Sequence, residues 1–400
     1  MKKTWIVFLA FFVIACNLSG QLPAVIDGRP GGDYSDDFGG QVPDESLPAD
    51  ETPFDPEEGL GQVEMDLEPE FFIPVLSSLQ LPEDFGATRE NPYPTHTHIE
   101  TVSWDFQVLQ VMRGQAAWER ILEDDSDPLV PPEGYEYLVV QLMIQNKILD
   151  EQAYDFGISD IFVVGDRGIM RTDALWGVPS LDLFYKDIYC AETLIGWMDA
   201  ILPVDETNLL LGIHLEYQLP FDAEERQVHY IALEEGAAYQ PPADAPFPEP
   251  NNLGADPALP AALGSTVITD SWEVSILEVI RGEQAMAMVS EANPTNPEPE
   301  AGYEYLAARL RMGYWSDDAT IASIAIDQFS SLTSAGETIP PVQLRVTSDQ
   351  RHNWVSATFF PGGMLEAWTV VSVPVNEINP LLVFNAGSAW DAQNVYLALN

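Results

Sequence analysis

One stretch of this chain occurs twice. Residues 103–114 read Ser-Trp-Asp-Phe-Gln-Val-Leu-Gln-Val-Met-Arg-Gly, and residues 271–282 read Ser-Trp-Glu-Val-Ser-Ile-Leu-Glu-Val-Ile-Arg-Gly. Gly134-Tyr135-Glu136-Tyr137-Leu138 then returns as Gly302-Tyr303-Glu304-Tyr305-Leu306. The steps from Trp104 to Trp272, Gly114 to Gly282 and Tyr137 to Tyr305 are all 168 residues. Later landmarks return with small insertions: Gly196-Trp197 as Ala367-Trp368, Pro203 as Pro374, Leu209-Leu210-Leu211 as Leu381-Leu382-Val383, and Tyr230-Ile231-Ala232-Leu233 as Tyr396-Leu397-Ala398-Leu399. Whatever the first copy builds, the second must build too. The chain is therefore read as two modules of roughly 150 residues each, residues 85–234 and 253–400. Between them, residues 235–252 carry Pro241, Pro242, Pro246, Pro248 and Pro250, a stiff polyproline-like spacer.

Each copy is patterned for strands. Apolar and polar residues alternate in Trp104-Asp105-Phe106-Gln107-Val108, the period of a half-buried strand. The phase slips at Val108-Leu109, which predicts a bulge. Residues 116–122 read as a helical turn or two, with Trp118, Ile121 and Leu122 on one face. In residues 135–146, Leu138, Val140, Leu142 and Ile144 share a face, as do Leu306, Ala308, Leu310 and Met312 in the second copy. That face is expected to be the core, with Tyr137 and Gln141 looking outward. Glu136 and Glu304 recur beside the recurring Arg113 and Arg281, so a structural ion pair is expected in each copy. Further strands are expected at residues 158–164, 195–202, 209–217 and 228–233. Many short strands at this spacing predict an all-β sandwich or barrel.

Charge narrows the partners. The chain has 64 acidic and 16 basic residues, a formal charge of −48. Such a surface repels nucleic acid and anionic lipid headgroups. Residues 16–84 are rich in Gly, Pro, Asp and Glu, with Arg29 the only base over 17–84, and are expected to form a disordered acidic tether. The acids of 27–37 lack the alternating ligands and closing glutamate of an EF-hand loop. The apolar island of residues 70–76 is expected to pack on module one as an extra edge strand.

The amino terminus has Lys2 and Lys3 followed by an apolar run over 5–15. Eleven apolar residues are too few for a permanent span, which needs about 20, and suit a signal peptide of residues 1–15. The run ends Val13-Ile14-Ala15-Cys16, which resembles the lipobox of bacterial lipoproteins. The resemblance implies cleavage before Cys16, lipidation of its thiol, and anchoring on the extracytoplasmic face of the cell membrane. This leaves Cys190 as a lone thiol, read as buried and inert.

The order of elements carries a second resemblance. An aromatic-led strand, a short helix (with paired alanines, Ala116-Ala117, in module one), a Gly-Tyr-Glu-Tyr-Leu strand, and an aromatic before a Leu-Pro or Val-Pro end occur in both modules. This is similar to a domain of unknown function found in bacterial lipoproteins. The resemblance implies two tandem immunoglobulin-like β-sandwich domains, of the telokin-like and immunoprotective-antigen type. It implies no catalytic residues. Asn146, which fits that family's strand-ending asparagine, is Tyr314 in module two.

No Gly-x-Ser-x-Gly elbow, His-Glu-x-x-His, P-loop or Rossmann glycine pattern occurs. His96 and His98 lie on one side of an extended segment but lack a third ligand at fixed spacing, so no metal and no cofactor are assigned. Trp176, Trp315, Trp354 and Trp390 fall in loop contexts and are the ligand-binding candidates, able to stack a sugar or grip a peptide. The expectation is a non-enzymatic surface lipoprotein that binds a protein or glycan partner. The alternatives are an extracytoplasmic glycan-acting enzyme and a cation-binding acidic surface protein.

Overall fold

The structure is a computed structural model that describes residues 75–125, 128–149, 152–154, 160–171, 187–215, 228–240, 248–316, 320–386 and 393–400. The signal peptide, Cys16, most of the tether, Trp176 and Trp390 lie outside the described residues. Module one runs β1 (Ile99–Glu100), β2 (Trp104–Arg113), α1 (Gln115–Asp124), β3 (Tyr135–Asn146), β4 (Ile161–Val164), β5 (Ile169–Met170), β6 (Thr193–Pro203), β7 (Leu210–His214) and β8 (Val228–Ala232). Module two runs β9 (Thr266–Ile268), β10 (Trp272–Arg281), α2 (Glu283–Ala292), β11 (Tyr303–Tyr314), β12 (Ala322–Ala325), β13 (Phe329–Leu332), β14 (Thr338–Ile339), β15 (Ser356–Phe359), β16 (Met364–Pro374), β17 (Leu381–Asn385) and β18 (Asn394–Ala398).

The fold is all-β and antiparallel. In module one the sheet β1-β2-β3-β6 faces the sheet β4-β7-β8. Trp104, Phe106, Val108, Leu138, Val140, Leu142 and Ile144 from the first meet Ile161, Val163, Leu211, Ile213 and Ile231 from the second. In module two the sheet β9-β10-β11-β16 faces β14-β13-β17-β18 around Trp272, Phe329 and Phe384. The repeat is visible bond for bond. Trp104 pairs with Asn146 and Arg113 with Leu138, while Trp272 pairs with Tyr314 and Arg281 with Leu306. The bulge falls where the phase slips, between Val108 and Gln110, and again between Ile276 and Glu278. It returns Val111 to the core side of the strand. Past the prolines the step is 171, and Leu210 is the residue that matches Leu381. The leucine run had suggested Leu209. A slip of one residue would exchange the two faces of the strand.

The expected ion pairs form. Arg113 Nε donates to Glu136 at 2.5 Å and Arg281 Nε donates to Glu304 at 2.8 Å. Arg113 also donates to the carbonyls of Val204 and Glu206, tying the end of β2 to the turn after β6. Gly114 must be glycine here. Its φ is +61°, and a Cβ would lie 2.7 Å from the Glu136 carboxylate.

Three sequence expectations are corrected. Tyr137 does not look out to solvent: it is buried beneath α1 with Ala117, Ile121 and Val139. Its hydroxyl donates to the Leu129 carbonyl at 2.7 Å. Alternation at period two separates the faces of a strand but does not say whether the second face meets water or a helix. The tether also ends earlier than residue 84. Leu76 and Ser78 bond to His98, and Leu81 packs on the core, so this stretch already belongs to module one. Cys190 is half-buried in a turn rather than enclosed in a strand.

The helix-covered layer differs between copies at several positions, and at one of them an ionisable group stands in place of an apolar one. Asp199 on β6 is buried, and its Oδ2 has no hydrogen-bond partner among the described residues. The matching residue in module two, by the step of 171, is the buried Val370. Burial pushes the Asp199 carboxyl from 3.8 up to about 8. Between those values the folded chain holds a proton that the unfolded chain releases. Stability is therefore expected to fall as pH rises from about 4 and to level off above about 8, by up to about 1.4 kcal/mol per pH unit. Denaturant titrations of wild type and Asp199→Asn across this range read the contribution as the difference between the two curves. Parallel curves would show that the carboxyl ionises in the folded chain as freely as in the unfolded one.

Candidate functional site

The two modules share a sheet. Strand β5 of module one pairs with β15 of module two, Ile169 with Phe359 and Met170 with Thr358, giving the order β12-β15-β5. The pairing continues on either side. Phe360 N–H donates to the Gly168 carbonyl and Met364 N–H to the Arg167 carbonyl. Residues 71–400 form one compact unit. Residues 235–252, read as a spacer, therefore run between modules that touch. Tyr239 N–H bonds to the Arg89 carbonyl, and Ala237 is buried against module one.

A ring fills the junction. Phe360 projects from the turn after β15 onto the outer face of the β4-β7-β8 sheet. There it meets Phe162 at 5.6 Å and Tyr230 at 6.4 Å between ring centroids. Val164, Leu210 and Ala232 complete the apolar seat. Arg89 closes it, with its guanidinium 4.0 Å from the Tyr239 ring centroid and 4.6 Å from that of Phe360. Arg89 Nη2 donates to the Pro361 carbonyl at 3.1 Å. Burial lowers the pKa of Arg89 from its ordinary value. Such cation–ring contacts are worth up to about 2 kcal/mol when desolvated. Two glycines let the backbones meet, since a Cβ on Gly168 would lie 2.8 Å from the Gly363 Cα.

The hairpin that carries β5 is held by Glu206. Its carboxylate accepts from Arg167 N–H at 2.8 Å, and burial raises its pKa. Glu377 does the same in module two, accepting from Ser334 N–H at 3.1 Å. Its pKa is lowered, first by the Asn379 N–H bond. The repeat Pro203-Val204-Asp205-Glu206 and Pro374-Val375-Asn376-Glu377 was the sequence clue to this pair.

The matching face of module two is open. It carries Ser330 where module one has Phe162, Val383 for Gly212, Asn385 for His214, Asn394 for Val228, and Tyr396 for Tyr230. The opposed pair Phe162 and Gly212 has exchanged its large and small members as Ser330 and Val383. Among the described residues no ring is seated on it, and this face forms a cleft of about 450 Å3, rimmed by Asp327, Gln328, Thr338, Pro340 and Pro341. That size falls in the range of ligand sites. The free edge of β14 borders the cleft, since β14 pairs with β13 alone among the described strands.

The tryptophan candidates do not assemble this site. Trp354 is buried against α2 with Ala285, Val289 and Val370, so it is a core residue. A loop context in sequence does not reveal that a helix lies over it. Trp315 is half-buried just past β11, its backbone N–H bonded to the Ser271 carbonyl. Trp176 and Trp390 lie outside the described residues. The histidines are engaged separately: His96 Nδ1 is 2.9 Å from the Val108 carbonyl, and His98 lies between Glu100 and Asp105 at 3.5 and 3.8 Å. Among the described residues no group of three or more His, Cys, Asp or Glu is placed to hold a metal. A second cleft, of about 660 Å3 beside Tyr93, Lys147 and His229, includes Glu83 and Glu100.

No protein-family profile matches the chain, and no curated protein does. Among solved structures, the yjhA protein from Bacillus subtilis is similar at 15% identity and a TM-score of 0.26, over 35% of this chain and 99% of that one. The ycdA protein from Bacillus subtilis, provisionally named a lipoprotein, is similar at 9% identity and a TM-score of 0.25, over 36% of this chain and 39% of that one. An uncharacterized β-sandwich protein from Clostridium difficile is similar at 10% identity and a TM-score of 0.22, over 36% of this chain and 96% of that one. These likenesses are too distant to bear on activity. Among the described residues no helix is long and apolar enough to cross a membrane.

The junction makes a paired test. Gly168 and its counterpart Gly336 both have positive φ, but nothing lies within 4 Å of a Cβ on Gly336. Alanine at either position takes on the left-handed backbone cost of about 1–2 kcal/mol. Gly168→Ala adds overpacking against module two, and is expected to lose about 1–3 kcal/mol more than Gly336→Ala in chemical denaturation. Equal losses would mean that the glycine contact does not hold the modules together.

Proposed function

We propose that this chain is a lipid-anchored lipoprotein of the extracytoplasmic cell surface, with two tandem immunoglobulin-like sandwiches and a binding or scaffolding role without catalysis. The observation that carries the reading is the difference between two equivalent sheet faces. One is sealed by Phe360, and the other, bearing Tyr396, is open as a cleft. A face that the fold can seal, left open and lined with hydroxyl, amide and phenol groups, suits recognition of a protein or glycan. The shared sheet makes the body rigid, which lowers the ordering cost of binding. The acidic surface favours solubility and excludes polyanionic partners. Lipid on Cys16 supplies the anchor, which the sequence places ahead of a long acidic stretch.

Two measurements test this. In detergent phase partition of cells, wild type is expected in the detergent phase and Cys16→Ser in the aqueous phase. If both stay aqueous, the anchor is wrong. Secreted Cys16→Ser protein is then added to cells that display the native protein as Ser330→Arg, so that the open face of the added copy is the one available. It is expected to be retained on them, and Tyr396→Asp to lower retention at least ~10-fold, which corresponds to about 1.4 kcal/mol. Retention untouched by Tyr396→Asp would mean that the open face is not the binding face.

A further inference from the structure

We propose that the open face of module two receives a second copy of this chain, by way of the turn that carries Tyr189. This rests on the reading of that face as the binding face and names its partner.

The junction inside the chain supplies the pattern. Module one offers a sheet face, and module two offers a turn bearing Phe360. Module one has the same turn. Ile188 bridges Tyr154 as Phe359 pairs with Ala322, so the strand leading in is equivalent. Ala191 N–H bonds to the Asn146 carbonyl at 2.8 Å, as Gly362 N–H bonds to Tyr314 at 2.8 Å. Asn146 N–H bonds back to Glu192, as Tyr314 N–H bonds back to Gly363. Ala191 even keeps the positive φ of Gly362, 64° against 82°. A non-glycine residue in that conformation is unusual, and here the backbone of the turn is preserved at that cost.

Tyr189 occupies the place of Phe360 on this turn. Phe360 is 5% exposed in its seat, whereas Tyr189 is 48% exposed. Among the described residues module two therefore has an unfilled seat and module one an unseated ring. Their chemistry has changed together. The ring has gained a hydroxyl, and the seat has gained Ser330, Asn385 and Asn394 in place of Phe162, His214 and Val228. A buried tyrosine hydroxyl needs a polar partner, and this seat offers several. Replacing Phe162 by Ser330 also opens the space that the cleft occupies. The edge of β14 is as long as the edge of β5 that β15 uses, two residues in each case.

Two features oppose the contact. Glu192 stands where Gly363 meets Gly168, and its carboxylate accepts the Tyr189 N–H at 2.8 Å. In the internal junction the equivalent N–H, that of Phe360, goes to the Gly168 carbonyl. Docking requires Glu192 to release that N–H to the equivalent Gly336. The second feature is charge. Copies of a chain at −48 repel each other until salt screens them. The contact is heterologous, one surface of each copy meeting a different surface of the next, so it links copies in series.

The test uses the full chain secreted as Cys16→Ser, which keeps lipid out of the measurement. Its mass is followed by sedimentation and light scattering against concentration. At ~1 M salt, where the screening length is about 3 Å, the mass is expected to rise with concentration. Glu192→Gly is expected to bring the rise to concentrations at least ~10-fold lower, which is about 1.4 kcal/mol. Tyr189→Asp and, separately, Ser330→Arg are expected to abolish it without moving the melting temperature. A mass that stays monomeric in Glu192→Gly at high salt overturns the proposal, and so does association indifferent to Tyr189→Asp. Retention on cells separates the two readings. A monomeric chain that still loses retention on Tyr396→Asp has a binding face for another protein or a glycan, and only the self-association fails. If neither retention nor mass depends on Tyr396, both fail.

Discussion

The contact between the rings of Phe360 and Phe162 is what makes two modules one body. A short sheet of three strands, β4-β7-β8, has apolar residues on both sides. One side meets the long sheet of its own sandwich. The other must be covered too, because an exposed surface of Phe162, Val164, Leu210 and Tyr230 would be costly in water and prone to stick. Module two covers it with one turn and one strand edge. The shared strand pairing, the Arg89 clamp and the close approach of Gly168 to Gly363 all follow from seating that ring.

Duplication makes the other half of the molecule informative. Two copies of one fold present the same surfaces twice, and among the described residues one of each is unused. The unused surfaces have diverged in a consistent direction. On the open face the large Phe162 has become Ser330, and Val228 has become Asn394. These changes reduce the cost of exposing the face while the shape of the seat remains. Asp199 shows the same freedom in a covered layer, where a buried carboxyl kept protonated stands in for Val370.

Much of the fold was readable from residue order. The bulge after Val108, the core face of Leu138 to Ile144, and the pairing of Arg113 with Glu136 all appear where the pattern puts them. The errors share one cause. Tyr137 and Trp354 were assigned to solvent or to a loop, yet each lies beneath a helix. Local pattern shows which residues point the same way but does not show what they point at. The open face was in principle legible from the repeat. Comparing the copies at outward positions, Phe162 with Ser330 and Tyr189 with Phe360, would have marked it without coordinates.

By itself, the sequence determined that one stretch recurs, that both copies are built of strands, and where the long hairpin of each copy bulges and turns its apolar face. Those features depend on neighbours within a hairpin or on the step of 168, and alternation encodes them directly. Only the tertiary structure decided that the modules are fused through a shared sheet and that one of two equivalent faces is filled. Arg89 and the Pro361 carbonyl it bonds are 272 residues apart, and no local periodicity records a contact of that range. Its strength comes from apolar area and ring geometry that exist once both modules have folded.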